Sequence, residues 1–176
     1  MLEKVIVLYK SNTGFTQKYA EWVANELNCS AISITEINVN ELQSYDTIVF
    51  GGGLYAGKIN GLKSIKNDIF KMNDKNIIIF VTGATPKEAI KIEEIKNANF
   101  SLKEKENFHL FYFHSGMNYE KMGLGSKGMM SIFKAILKIK KDKSPEEQGM
   151  YDTITKSNDY SKKEYINPLI EYIKTI

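Results

Sequence analysis

KVIVLYKSNTGFTQKYAEWVANEL, residues 4–27, is the stretch that decides the fold. Val5 to Tyr9 is a short apolar run of the kind that forms a strand buried on both faces of a parallel sheet. It stops at Ser11-Asn12-Thr13-Gly14-Phe15-Thr16. An amphipathic helix follows, expected over about 14–27, with Phe15, Tyr19, Trp22, Val23 and Leu27 on one face. Three hydroxyls and a glycine therefore stand where a helix begins. The first N–H groups of a helix have no partner within it, and its N-terminus is partially positive. Such an end accommodates a phosphate. Ser11, Thr13 and Thr16 add hydroxyl donors, and Gly14 lets the backbone approach closely. The competing reading is an ordinary N-cap made of turn residues.

Strand-like and helix-like segments alternate along the rest of the chain, which argues for an α/β fold with a parallel sheet. Further strands are expected at Ala31–Thr35, Thr47–Phe50, Ile77–Val81 and Leu110–Phe113. The first is expected at about residues 3–9. A short helix is expected at Val39–Leu42, and another at about Gly61–Met72 with Leu62, Ile65, Ile69 and Phe70 inward. Thr85-Pro86-Lys87-Glu88 has the composition of a capping box, and Ser161-Lys162-Lys163-Glu164 repeats it before Tyr165, Ile166, Leu169, Ile170 and Ile173. The expected architecture is one domain over residues 1–176, with a doubly wound parallel sheet of five strands in the order 2-1-3-4-5. About 114–160 is too long for a simple connection and is expected to be a helical insertion before the last helix. Within it Gly125–Lys141 reads as a basic amphipathic helix, and Ser144-Pro145-Glu146-Glu147 as the cap of another.

Ligands of a doubly wound sheet sit at the carboxyl ends of its strands. Four loops emerge there: Ser11–Thr16, Gly51–Lys58, Thr82–Thr85 and His114–Tyr119. The glycines Gly51, Gly52 and Gly53 remove bulk where something flat can lie, and Leu54 and Tyr55 can pack on its face. His114 is a proton donor or, on the plainer reading, a structural histidine; His109 is at the far end of its strand. Trp22 and the single Cys29 read as structural.

Ser11-x-Thr13-Gly14-x-Thr16 after a first strand resembles the phosphate loop of flavodoxins, which holds the FMN phosphate with hydroxyls and backbone N–H groups. Tyr45-Asp46-x-Ile48-Val49-x-Gly51 and the glycine loop resemble the flavodoxin region whose backbone peptide bonds flavin N5, which makes Gly57 the flexible peptide. Thr82-Gly83-Ala84-Thr85 matches the loop that faces the pyrimidine edge of the ring. The resemblance thus implies bound FMN, held by Ser11, Asn12, Thr13, Gly14, Phe15, Thr16, Gly53, Leu54, Tyr55, Ala56, Gly57, Thr82, Gly83, Ala84 and Thr85. Nearly the whole chain is similar to the branch of the superfamily that contains menaquinone-dependent protoporphyrinogen oxidase, with its long hydrophobic, basic insertion after the fifth strand. That implies electron or hydride transfer to a redox partner protein, a quinone or a small-molecule substrate. The alternative of another class is an interaction module with a vestigial flavin site.

The net charge is +3, and all 24 basic residues are lysines. Without arginine, bidentate recognition of bases or phosphates has no carrier, so nucleic acid is not an expected partner. One cysteine excludes an intrachain disulfide and a cysteine-based metal cluster. No set of nucleophile, base and acid stands out for hydrolysis. The apolar run at the N-terminus is too short for a signal peptide, and Met129–Ile139 is interrupted by Lys134 and Lys138. The expected location is the cytoplasm, with peripheral contact at the inner membrane face through about 125–141 as the further expectation.

Overall fold

A computed structural model describes residues 4–176, without the side chains of residues 145, 146, 152 and 153; residue 3, the expected start of the first strand, lies outside them. The elements run β1 (Val5–Lys10), α1 (Phe15–Glu26), β2 (Ala31–Ser33), β3 (Thr47–Tyr55), β4 (Lys58–Ile59), α2 (Leu62–Ile69) and β5 (Asn76–Gly83). Then follow α3 (Ile92–Asn99), β6 (His109–His114), β7 (Gly116–Met117), α4 (Leu124–Ile139), α5 (Pro145–Thr153), β8 (Asn158–Asp159) and α6 (Asn167–Ile173). The main sheet has the order β2-β1-β3-β5-β6, all parallel, with β4 turned back antiparallel on β3. Counting the parallel strands alone, this is the expected doubly wound order.

The middles of the long strands are unbroken apolar runs because both faces are covered, yet a period of two still sorts their side chains. Ile6, Leu8, Ile48, Phe50, Ile77, Ile79 and Val81 face one way and pack with Leu62, Ile65 and Ile69 of α2 and Ile95 of α3. Val7, Val49, Ile78, Phe80 and Phe113 face the other way and meet Tyr19, Ala20, Val23 and Ala24 of α1 and Leu169, Ile170 and Ile173 of α6. The inward face of α1 is therefore turned from the expected one. Ala20 and Ala24 bring the helix close to the sheet, Trp22 is half-buried at its edge, and Phe15 is left partly open.

Three local expectations change. β3 does not stop at Phe50 but runs through Gly51, Gly52 and Gly53 to Tyr55, because β5 continues to pair with it at Phe80, Val81 and Thr82. Thr85-Pro86-Lys87-Glu88 starts only a 3-10 turn at Lys87–Ala89, with no side-chain cap; Pro86 is extended (ψ 145°), and α3 begins later. Ser161 does not cap a helix either: a 3-10 turn at Lys163–Ile166 leads into α6. The Ser144 capping box does form, with the Glu147 N–H donating to Ser144 Oγ and the Ser144 N–H donating to the Glu147 carboxylate.

The insertion leaves and rejoins the domain through one ribbon. Gly116 pairs with Asp159 and Met117 with Asn158. Lys18 of α1 ties that ribbon down with a 2.8 Å ion pair to Asp159. Burial alone would raise the Asp159 carboxyl, but hydrogen bonds from Lys18 and Ser161 bring it below its ordinary value.

Candidate functional site

Three strand ends and the insertion enclose one cleft of about 550 Å3. Its lining includes Thr13, Phe15 and Thr16 after β1; Gly53, Leu54, Tyr55 and Ala56 at the end of β3; and Thr82, Gly83, Ala84 and Thr85 after β5. The fourth wall is Ser115 to Asn118 together with Met122, Ser126, Met129, Met130 and Phe133, from α4 and its approach. The residues expected from three separate loops thus meet around one space. Ser11, Asn12, Gly14 and Gly57, also expected at the site, are not part of that lining. A shallower hollow of about 340 Å3, bordered by Thr13, Gly14, Lys18 and Asn118, adjoins it at the start of α1.

The loop at the start of α1 is shaped by Gly14, whose φ of 98° is left-handed, a conformation glycine adopts without steric cost. The Gly14 N–H donates to Ser11 Oγ at 3.1 Å, which closes the loop upon itself. The first turn of α1 carries no acidic residue, so its positive end is not neutralised from within. The Thr13 side chain borders both hollows. Thr16 is placed differently from its neighbours. Its hydroxyl is buried and lies 2.8 Å from the Thr82 hydroxyl, so the two form a floor between the start of α1 and the end of β5.

The glycine run has a more specific reason than openness to a ligand. A Cβ on Gly51 would overlap the Phe80 ring, and one on Gly52 would stand 2.6 Å from the Asn60 carbonyl. Those two make room for the protein's own core and for the returning strand. Only Gly53 borders the cleft: its Cβ would fall 3.1 Å from the Tyr55 ring and 3.5 Å from Thr16 Oγ1. Beyond it the chain turns through Ala56 (φ 47°) and Gly57 (φ 78°). Positive φ at both central residues is the geometry of a tight two-residue hairpin.

Sequence reasoning missed what holds this hairpin. Asn99, the last residue of α3, donates from Nδ2 to the Gly57 carbonyl at 2.7 Å and accepts the Ile59 N–H at Oδ1 at 3.0 Å. Asn60 links the hairpin to the first loop through Asn12 Oδ1 at 3.1 Å. Nothing in the local sequence marks these asparagines, because their partners lie about 40 or more residues away. On the third loop, the buried Tyr112 hydroxyl donates to the Thr85 carbonyl at 2.7 Å, and burial pushes its pKa up, so it stays a donor. His114 Nε2 lies 3.2 Å from the Ala84 carbonyl, while its ring stacks on Tyr160. His114 therefore braces this loop from behind. His109 packs on Tyr172, at the opposite end of β6. Cys29 is half-buried, its thiol pushed up to about 11 by that burial, and it takes no part in the cleft. Among the described residues no cluster of His, Cys, Asp or Glu could hold a metal ion.

A family model described as the flavodoxin domain matches residues 6–144, the sheet and three walls of this cleft together with α4. The chain belongs to the flavodoxin-domain family. An uncharacterised protein of Methanocaldococcus jannaschii is 36% identical over 86 residues, which are 47% of this chain and 56% of that protein. The chain thus spans little more than half the length of the curated relative it matches. Among solved structures, the fold is similar to a flavodoxin from the domain Archaea (20% identity, 62% of this chain and 84% of that one, TM-score 0.43). It is also similar to oxidised flavodoxin 2 of Bacillus cereus (18% identity, 62% and 84%, TM-score 0.44).

The residues of this flavodoxin domain suit the flavin that such domains generally bind. The donor set at the head of α1 is neutral or positive, as a phosphate requires. The cradle at Gly53 would be filled by a single Cβ. Leu54 and Tyr55 offer an apolar wall, and Ala56 and the Thr82–Thr85 loop line the same space.

Proposed function

We propose that the domain binds FMN non-covalently in the 550 Å3 cleft and transfers electrons or hydride through it. One observation carries the reading: the start of α1 with Thr13, an aromatic wall at Tyr55 and the Thr82–Thr85 loop converge on one cavity. When bound, FMN supplies the redox chemistry. The chain positions it. Ser11, Thr13 and the N–H groups of the first turn of α1 bind the phosphate. Tyr55 and Leu54 cover the ring and exclude water. Backbone donors of Thr82 to Thr85 orient the pyrimidine edge, where preset dipoles favour the charge that develops on reduction. The Thr16–Thr82 hydroxyl pair keeps the floor closed.

The fourth wall supports a finer reading within the same class. Met122, Met129, Met130 and Phe133 make it apolar and deformable, which suits a hydrophobic substrate such as a quinone better than a charged protein surface alone. A quinone-linked oxidoreductase, or one like the protoporphyrinogen oxidases, is the enzyme this wall favours. A vestigial site is the contrary case, and the colour of the purified protein separates the two. The test of the main reading is titration of the apoprotein with FMN and with riboflavin. FMN is expected to bind far more tightly; equal affinities would remove the phosphate assignment.

A further inference from the structure

Helix α4 is built the opposite way from a helix that packs on its own domain. Only Leu137 is buried. Leu124 (89% exposed), Ile132 (65%), Ile136 (58%) and Ile139 (79%) stand in the open, beside the partly open Met129 and Phe133. At 100° per residue these six occupy one half of the helix surface without interruption. The lysines do not cover them. Lys134 turns inward, donating to Thr155 at 2.8 Å and lying over the Tyr151 ring; Lys127 turns inward to the Glu120 carbonyl at 2.9 Å and faces Tyr119. Lys121, Lys138 and Lys141 are exposed at the two ends and shoulder of the apolar face. Residues 121–143 hold seven lysines and one acid, Asp142, whereas the rest of the chain holds seventeen lysines and twenty acids. Lys140 is paired with Glu147 at 2.6 Å, so the exposed positive charge beside this apolar face is that of Lys121, Lys138 and Lys141.

We propose that α4 is a docking face for an anionic lipid bilayer. A helix with a broad apolar arc and flanking lysines lies in the membrane interface, its side chains among the acyl chains and its ammonium groups at the headgroups. No helix of the described residues is long and apolar enough to cross a membrane, so the contact is peripheral. A charged aqueous partner would leave the isoleucines wet, and a second copy would bring two basic segments together. A negatively charged bilayer satisfies both the apolar arc and the charge. Met129 and Phe133 belong both to this face and to the cleft lining, so docking brings the mouth of the cleft to the lipid surface. The proposal rests on exposure and charge and does not depend on the flavin.

Flotation of the full chain with vesicles tests it. At low salt the protein is expected to float with phosphatidylglycerol–phosphatidylcholine vesicles and to remain behind with pure phosphatidylcholine. Lys138→Glu with Lys141→Glu is expected to weaken binding by at least about thirtyfold, the loss of two basic side chains near an anionic surface. The triple variant Ile132→Ser, Ile136→Ser and Ile139→Ser changes only exposed residues outside the cleft lining. It is expected to abolish flotation while leaving the circular dichroism melt and the FMN affinity unchanged. Failure of the unmodified protein to float overturns the proposal. So does equal flotation with neutral vesicles, or flotation that the triple variant retains. A concentration-dependent dimer in sedimentation, lost in the triple variant and without vesicle binding, would assign the face to a second copy instead.

Discussion

Helix α1 lays Tyr19, Ala20, Val23 and Ala24 on the sheet; helix α4 leaves Ile132, Ile136 and Ile139 in the open. Both read as amphipathic, so the pattern alone does not say where an apolar face goes. What differs is the surface below. α1 lies over β1, β3 and β5, whose Val7, Val49 and Ile78 need covering. α4 lies over the mouth of a cleft and contributes to neither of the two cores. An apolar stripe reports that something will be buried against it, and only the fold tells whether that is the protein itself.

The contrast can be broken most sharply by truncation. Tyr19→Ala, in the core, is expected to cost ~3–5 kcal/mol in urea unfolding, against less than about 0.5 kcal/mol for Ile132→Ala. A large cost at Ile132 would mean that α4 packs on its own domain. Ligand binding sharpens the same contrast. Thr13→Ala should weaken FMN by ~1–3 kcal/mol and leave riboflavin almost unaffected, while Ile136→Ser changes neither, as read by flavin titration.

Asn99→Ala removes the amide that grips both sides of the hairpin turn. It is expected to lower stability by about 1 kcal/mol and to change the visible spectrum of bound flavin, which a substitution on α4 would not do. The smallest effect belongs to the tie between α1 and the insertion. Asp159 has a depressed carboxyl, so its contribution is present above the unfolded-state pKa and is lost as the pH falls through the lower folded-state value. The pair is partly exposed, so Asp159→Asn should cost no more than about 0.5 kcal/mol at neutral pH. It should also flatten the fall in stability as the pH drops below the ordinary aspartate value of about 4, measured by thermal melts.

The sheet was legible because its strands are continuous apolar runs, Ile77 to Val81 above all, and because strand and helix segments alternate. The junction at Ser11–Thr16 was legible because its turn residues end one apolar run and open an amphipathic one. The glycine run was misread as a loop, since glycine disfavours strands in isolation; the pairing of Gly51 to Gly53 with β5 overrides that preference. The Thr85 cap failed because Pro86 is extended and the Tyr112 hydroxyl holds the Thr85 carbonyl. Asn99 was invisible because its role depends on α3 ending beside a hairpin formed far earlier in the chain. The basic amphipathic pattern of Gly125–Lys141 does not say which lysines turn in; Thr155 and Tyr151 draw Lys134, and the Glu120 carbonyl draws Lys127.

The ribbon of β7 and β8 gives the insertion one doorway. Residues 118–157 leave the domain and return to it at adjacent backbone positions, where Met117 faces Asn158. In the economy of a lineage, such a segment is an exchangeable part. A different excursion could be spliced across the same two strands without disturbing a core residue of either sheet face or any part of the loop at Gly14. The entrance to the cleft, and with it the choice of what the domain meets, can therefore diverge while the chamber behind it stays the same.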